Sequence, residues 1–176
     1  YLNASEDPWA AHYRMFDYIT DELPALLEAE LPLRPDARSI TGHSMGGHGA
    51  LVAALRRPEL YRSVSAFAPI CNPVNCGWGQ ACFGAYLGDD REVWKGWDAA
   101  ELMRAGRRFP SPPLIDQGGD DEFLAEQLNP EAMEAACRDQ GQPLTLRRQP
   151  GYDHSYHFIA TFIGEHLAHH AVALSR

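Results

Sequence analysis

The stretch "RSITGHSMGGHGALVAAL", Arg38 to Leu55, places Ser44 between Gly42 and Gly46, where a short apolar run gives way to small helix-forming residues. Gly42-His43-Ser44-Met45-Gly46 fits G-x-S-x-G with a strand before it and a helix after it. In that context the pentapeptide makes a sharp turn that lifts the serine oxygen above the end of a parallel sheet. Glycine two residues to either side of the serine avoids collision with the neighbouring strand and helix, and the dipole of the following helix points its positive end at the serine. Ser44 is therefore a candidate nucleophile. The alternative is a plain turn serine, and the choice depends on whether the rest of the chain supplies partners.

Around the elbow, the apolar pattern alternates between strand and helix. Asp7-Pro8 has the form of an N-cap with proline at the first helical position. Trp9, Tyr13, Phe16, Ile19, Leu23 and Leu26 follow at three- and four-residue spacing, which predicts a long amphipathic helix bent near Pro24. Strands are expected at 38–41, 63–67, 114–117 and 144–148, with helices over 46–57, 122–140 and 155–173. In the last of these Phe158, Phe162, Leu167 and Ala171 are placed inward. The stretch 69–88 is rich in Gly, Asn, Pro and aromatics and has the composition of a functional loop with short helical pieces. Strands alternating with helices imply an α/β fold, a parallel sheet covered on both faces. Only four strands are visible, so the first is expected at a sheet edge that another segment or chain would pair with or cover.

The 176 residues, 45% hydrophobic and 22% charged, suit one globular domain, here 1–176, able to bury roughly 70% of its unfolded-chain surface. A formal net charge of -9 without a Lys/Arg cluster argues against a nucleic-acid partner. No apolar run approaches the roughly 20 residues that span a bilayer. Cys71, Cys76, Cys82 and Cys137 read as reduced cytosolic thiols. Cys71 and Cys76 are too far apart for C-x-x-C and lack a second pair, which argues against structural zinc.

A serine hydroxyl needs a base, itself oriented by a carboxylate, in the chain order Ser, Asp/Glu, His. "LIDQGGDDEF" ends a strand at Gly118 and offers Asp120 and Asp121 beyond its carboxyl end, where open parallel sheets place their chemistry. The G-x-x-D spacing selects Asp121 and leaves Asp120 solvated; two helix-capping acids are the competing reading. "PGYDHSYHF" places His154 on the loop before the last helix, with His157 as its competitor and Asp153 as a helix cap. His43 and His48 flank the serine, but a histidine one residue from it is expected to point elsewhere on so tight a turn. His166, His169 and His170 share a helix at metal-compatible spacing without an accompanying acid or cysteine, and read as a solvated face. The backbone N–H of Met45 is the expected oxyanion donor. A second donor normally comes from a loop after an earlier strand, which this sequence does not contain. Losing one such donor costs on the order of 3 kcal/mol, so the chain by itself is expected to be a poor catalyst.

"GHSMGGHGAL", "SVSAFAPICNP", "LIDQGGDDEF" and "GYDHSYHFIATFIGEHLAHH" together resemble the S-formylglutathione hydrolase family, the esterase D group of α/β-hydrolases, over essentially the whole chain. The resemblance implies an α/β-hydrolase fold. It also implies Ser44 as nucleophile, Asp121 as orienting acid and His154 as base, in a metal-free thioesterase that hydrolyses S-formylglutathione during formaldehyde detoxification and commonly forms cytosolic dimers. A general short-chain carboxylesterase would use the same residues, and a catalytically silent half-domain associating through its sheet edge is the non-enzymatic reading. Relative to the family, the first strands and the second oxyanion donor are expected to precede Tyr1. Trp78, after "CNPVNCG", reads as a wall of a small acyl pocket or equally as a buried aromatic plug.

Overall fold

The computed structural model describes residues 1–175. Its N-terminal segment departs from its apolar periodicity. Residues 6–12 form turns rather than helix, because tertiary bonds hold the backbone: Ala4 N–H donates to Tyr13 O and Ser5 N–H to Tyr86 O, each at 2.8 Å. Helix begins only at α1 (Met15–Asp17), widens into a π turn over Tyr18–Glu22 and resumes as α2 (Leu23–Glu30). The π turn falls where the bend was expected. Pro24 has no N–H to return to the preceding turn, and the Leu23 N–H reaches back five residues to Tyr18 O.

The chain then alternates. β1 (Ser39–His43) runs directly into Ser44 and α3 (Met45–Arg56), and β2 (Ser63–Phe67) follows. Half of the 69–88 stretch is one continuous helix, α4 (Gly77–Leu87), rather than loop with short pieces, and α5 (Arg91–Lys95) and α6 (Ala99–Arg104) follow it. After β3 (Leu114–Gly118), the expected 122–140 helix is split into a π turn at Leu124–Leu128 and α7 (Pro130–Asp139). Asn129 takes a left-handed φ of 45° at the break, since the residue before a proline is disfavoured in the helical region and asparagine tolerates the left-handed one. β4 (Thr145–Gln149) and α8 (Tyr156–Leu174) complete the chain.

The four strands are parallel in the order β1-β2-β3-β4. β2 and β3 are buried at every position, as central strands covered on both faces must be. α3 packs on β1 and β2 with α6 against it and α7 against α6, and α8 packs on the sheet's other face. Among the described residues the outer edge of β1 has no strand partner, as its position in the sequence leads one to expect.

The face under α8 is polar at its centre, which corrects the expectation of a solvated histidine face. His166 and His170 are buried, whereas Leu167 is 59% exposed and Ala171 is also exposed. His170 Nδ1 and Nε2 each lie 2.8 Å from a hydroxyl, Ser63 Oγ and Ser65 Oγ respectively. His166 stacks on Phe67 with ring centroids 3.7 Å apart and reaches Asp116 Oδ2 at 3.1 Å. Arg147 grips the same carboxylate and also pairs with Glu165. Burial raises the Asp116 carboxyl, but the bonds from His166, Arg147 and Gln149 outweigh it and leave it below its ordinary value. A buried charge is tolerable only with this degree of pairing.

Candidate active site

Ser44 sits between the last residue of β1 and the first of α3, at φ 56° and ψ -118°. A non-glycine residue in that region stores on the order of 1–3 kcal/mol of backbone strain, which the flanking elements must hold. They do so by close approach. A Cβ on Gly42 would lie 2.2 Å from Gly46 O and 2.8 Å from Gly47 N, all rigid backbone. Gly46 differs from the sequence expectation: a Cβ there would meet nothing nearer than the Tyr1 hydroxyl at 3.8 Å. The second glycine required by space is Gly47, whose Cβ would come within 3.0 Å of Pro69 Cβ. The turn is further pinned by Ser44 N–H donating to Phe67 O at 2.9 Å.

Asp121 is buried beyond the carboxyl end of β3, and Gly118 makes that approach possible, since a Cβ there would lie 2.4 Å from Tyr152 O. Asp121 Oδ1 accepts from Phe123 N–H at 2.9 Å, and Oδ2 accepts from Gln117 Nε2 at 3.2 Å and faces His154 Nδ1 at 2.7 Å. Asp120 is exposed, its backbone N–H bonded to Tyr152 O. His157 is exposed and stacks on Tyr152, and Asp153 Oδ1 accepts from Ser155 N–H at 3.0 Å beside the start of α8.

Ser44, Met45, Trp78 and His154 line one cavity of about 210 Å³, closed by Ile70, Phe123, Gln127 and Leu128. The structure thus brings together all five residues singled out in the sequence, Asp121 through its bond to His154. Trp78 also packs against the buried cluster of Phe67, Ile70, Cys76, Leu128 and Phe158, so it lines the cavity and covers that cluster at once. Sequence reasoning missed the closing wall from the π turn, because nothing in "FLAEQL" distinguishes a wide turn from an ordinary helix.

It also missed the second histidine. His43 does not point away from the site: its ring centroid lies 4.5 Å from that of His154, and Phe123 packs edge-on against the opposite partner of the pair at 4.9 Å. Burial lowers the His43 imidazole from its ordinary value, with the neighbouring His154 acting in the same direction and Asp121 opposing. His48 is fully buried, its Nε2 2.7 Å from Trp97 O, and burial pushes its imidazole down to about 4. Among the described residues no group of three or more His, Cys, Asp or Glu is arranged to hold a metal ion, and no helix is long and apolar enough to cross a membrane.

A parallel sheet with helices on both faces and a strained serine between strand and helix defines the α/β-hydrolase-like esterase class. The profile of the family described as "Putative esterase" matches residues 1–169, and the chain belongs to that family. It is similar to mouse S-formylglutathione hydrolase, with 56% identity over 176 residues, and to the rat enzyme, with 54%; each alignment covers 99% of this chain and 62% of the relative. A solved S-formylglutathione hydrolase from Agrobacterium tumefaciens superposes with a TM-score of 0.96 at 47% identity, covering 98% of this chain and 62% of that one. The chain therefore spans 62% of the length of these relatives. A Staphylococcus aureus protein of the same name, at 19% identity and a TM-score of 0.73, shares the fold.

Proposed function

We propose that this chain carries the catalytic residues of a serine thioesterase that hydrolyses S-formylglutathione to formate and glutathione, as the C-terminal portion of an α/β-hydrolase domain. The observation that carries the reading is the strained Ser44 sharing a small cavity with His154, whose Nδ1 is held 2.7 Å from the buried Asp121 carboxylate. Similarity to relatives named for that substrate supports it.

In this reading Ser44 Oγ attacks the formyl carbon as His154 Nε2 takes the hydroxyl proton. Asp121 holds Nδ1 protonated and stabilises the imidazolium. The oxyanion receives the Met45 N–H, one of the unpaired donors at the start of α3. Collapse breaks the carbon–sulfur bond, His154 returns its proton to the departing thiolate, and the formyl group stays on Ser44. A water then attacks the formyl carbon as His154 takes its proton; collapse breaks the bond to Ser44 Oγ, which recovers that proton from His154, and formate is released. A cytoplasmic setting and a homodimer belong to the same proposal; free cysteines, three of them buried, support the first, and sedimentation checks the second.

The test compares S-formylglutathione with simple aryl acetates, using the chain and its Ser44→Ala variant, with fluorophosphonate labelling read by intact mass. Ser44-dependent turnover that prefers the thioester is the expected result. Turnover of aryl acetates alone would make the chain a general carboxylesterase, and failure of Ser44 to take the label would remove the nucleophile assignment.

A further inference from the structure

Beside Ser44 lies a groove of about 740 Å³ that the acyl chemistry leaves unused, within the size range of small-molecule sites. Its walls include Tyr13, Arg14, Tyr18, Glu22 and Tyr86, and it meets the nucleophile's cavity at Met45, whose half-exposed side chain lines both. The walls are fixed before any ligand arrives. Trp9 packs edge-on against both Tyr13 and Tyr86, with centroids 5.0 and 5.6 Å away. Arg14 Nη2 donates to Asp17 Oδ2 at 2.7 Å, and Asp17 Oδ1 in turn accepts from Asn3 Nδ2 at 2.6 Å. One corner of the guanidinium is thus anchored, and the other donors of its planar fork remain for a carboxylate.

Arg14, the residue just before α1, and Tyr18 and Glu22, the two ends of the π turn, recur every four residues and all line the groove. Three α-helical residues and the five of the wider, shorter-rising π turn put the backbones of the end members within roughly 12 Å of each other. The groove therefore presents a cation, an aromatic surface and a carboxylate in line. An extended tripeptide spans roughly 10 Å. Glutathione carries an ammonium group at its γ-glutamyl end and a carboxylate at its glycyl end, with the sulfur between them.

We infer that this groove seats the tripeptide of the thioester, an inference that rests on the thioesterase reading above. The glycyl carboxylate pairs with Arg14, the γ-glutamyl ammonium pairs with Glu22, and the cysteinyl sulfur is directed over Met45 toward Ser44. On a chain of net charge -9, a localised cation is what a peptide with more carboxylates than ammonium groups requires.

The test is a binding cycle read by NMR titration of the chain with three probes: glutathione, its glycyl ethyl ester and N-acetylglutathione. Arg14→Leu is expected to weaken glutathione about fivefold, the effect of an ion pair in a half-open groove, and to leave the ethyl ester's affinity as it was. Glu22→Gln is expected to weaken glutathione similarly and to leave N-acetylglutathione as it was. Equal losses across probes, no loss in either variant, or no binding of glutathione by the unmodified chain would overturn the inference. Thermal melts identify a variant that does not fold. Arg14→Lys, which keeps the charge but not the fork, then replaces Arg14→Leu and must show a smaller loss for glutathione and none for the ester. Because binding is read without turnover, charge-matched binding in a chain that fails the hydrolysis test supports the groove and sinks only the thioesterase reading. Turnover without charge matching does the reverse.

Discussion

Asp121→Asn tests the orientation of His154 through hydrogen-bond polarity alone. Oδ1 accepts from the Phe123 N–H at 2.9 Å, a backbone donor that cannot reverse, so the amide oxygen of the variant is fixed at that position. The amide NH2 then occupies the place of Oδ2, facing Gln117 Nε2 and His154 Nδ1. Gln117 relieves its side only by turning its unpartnered Oε1 toward the new donor, which gives up the bond from Nε2 to Gly118 O at 3.1 Å. His154 relieves its side only by moving its proton from Nδ1 to Nε2. In that tautomer the imidazole presents an N–H to Ser44 and cannot accept the serine proton. Seating the amide the other way would oppose NH2 to the buried Phe123 N–H, at a cost of about 1–3 kcal/mol. Loss of the correct tautomer in such a triad lowers turnover by about 10⁴, or roughly 5.5 kcal/mol of transition-state stabilisation. We expect a loss of that order in kcat/KM at neutral pH, with a melting temperature close to that of the parent chain, while Asp120→Asn changes kcat/KM less than about twofold, as exposed sites away from the chemistry do. A loss below about tenfold in Asp121→Asn would refute the assignment of His154 as a base oriented by Asp121.

Two glycines of the elbow should separate cleanly: Gly42→Ala forces a Cβ to 2.2 Å from backbone and is expected to destabilise by more than about 2 kcal/mol, whereas Gly46→Ala has room and gains about 0.5–1 kcal/mol of helix propensity, both read by denaturant melts. Acid should destabilise the fold through His48, whose imidazole sits at about 4 when folded against about 6.5 unfolded. The unfolded chain binds the extra proton between those values, so stability is intact above about pH 6.5 and falls by about 2 kcal/mol on reaching pH 5. His170, also pushed down to about 4 by burial, acts in the same direction. Asp98, raised to about 6 mainly by burial, opposes them because its folded form takes up a proton first, so Asp98→Asn should show a steeper acid loss than the parent; equal slopes would discount these shifts. Trp78→Ala should open the cavity beside Ser44 and, if that cavity receives the acyl group, raise the kcat/KM ratio of hexanoyl over acetyl aryl esters by about tenfold, the discrimination expected of an apolar wall; an unchanged ratio would make Trp78 a plug alone.

The elbow was legible because its constraints are local. Gly42 must be glycine for reasons that lie within four residues of it, and Gly118 marks the approach of the Tyr152 backbone. The π turns at Tyr18–Glu22 and Leu124–Leu128 were not legible, since each depends on a proline or a left-handed asparagine interacting with packing elsewhere. His43 was missed for a related reason: the pentapeptide specifies where Ser44 points, but the neighbour of His43 is His154, more than a hundred residues further along the chain.

The inward turn of His166 and His170, on the stripe whose first members Phe158 and Phe162 do lie inward, has a different origin, and its signal was present in the sequence. Histidine counts as polar in an amphipathic pattern, so Leu167 and Ala171 were assigned inward and His166 and His170 outward. Ser63 and Ser65 alternate with Val64 and Ala66 on β2, and Asp116 interrupts β3, yet both strands are central and buried throughout. A central strand with hydroxyls on one face must face a helix that supplies hydrogen bonds, because buried polar groups left unpaired cost more than the packing returns. Only the last helix offers such donors at four-residue spacing, in His166 and His170, and those two histidines meet Asp116, Ser63 and Ser65. The hydroxyls and carboxylate of the strands bring His166 and His170 onto the buried stripe that Phe158 and Phe162 begin at the same four-residue spacing.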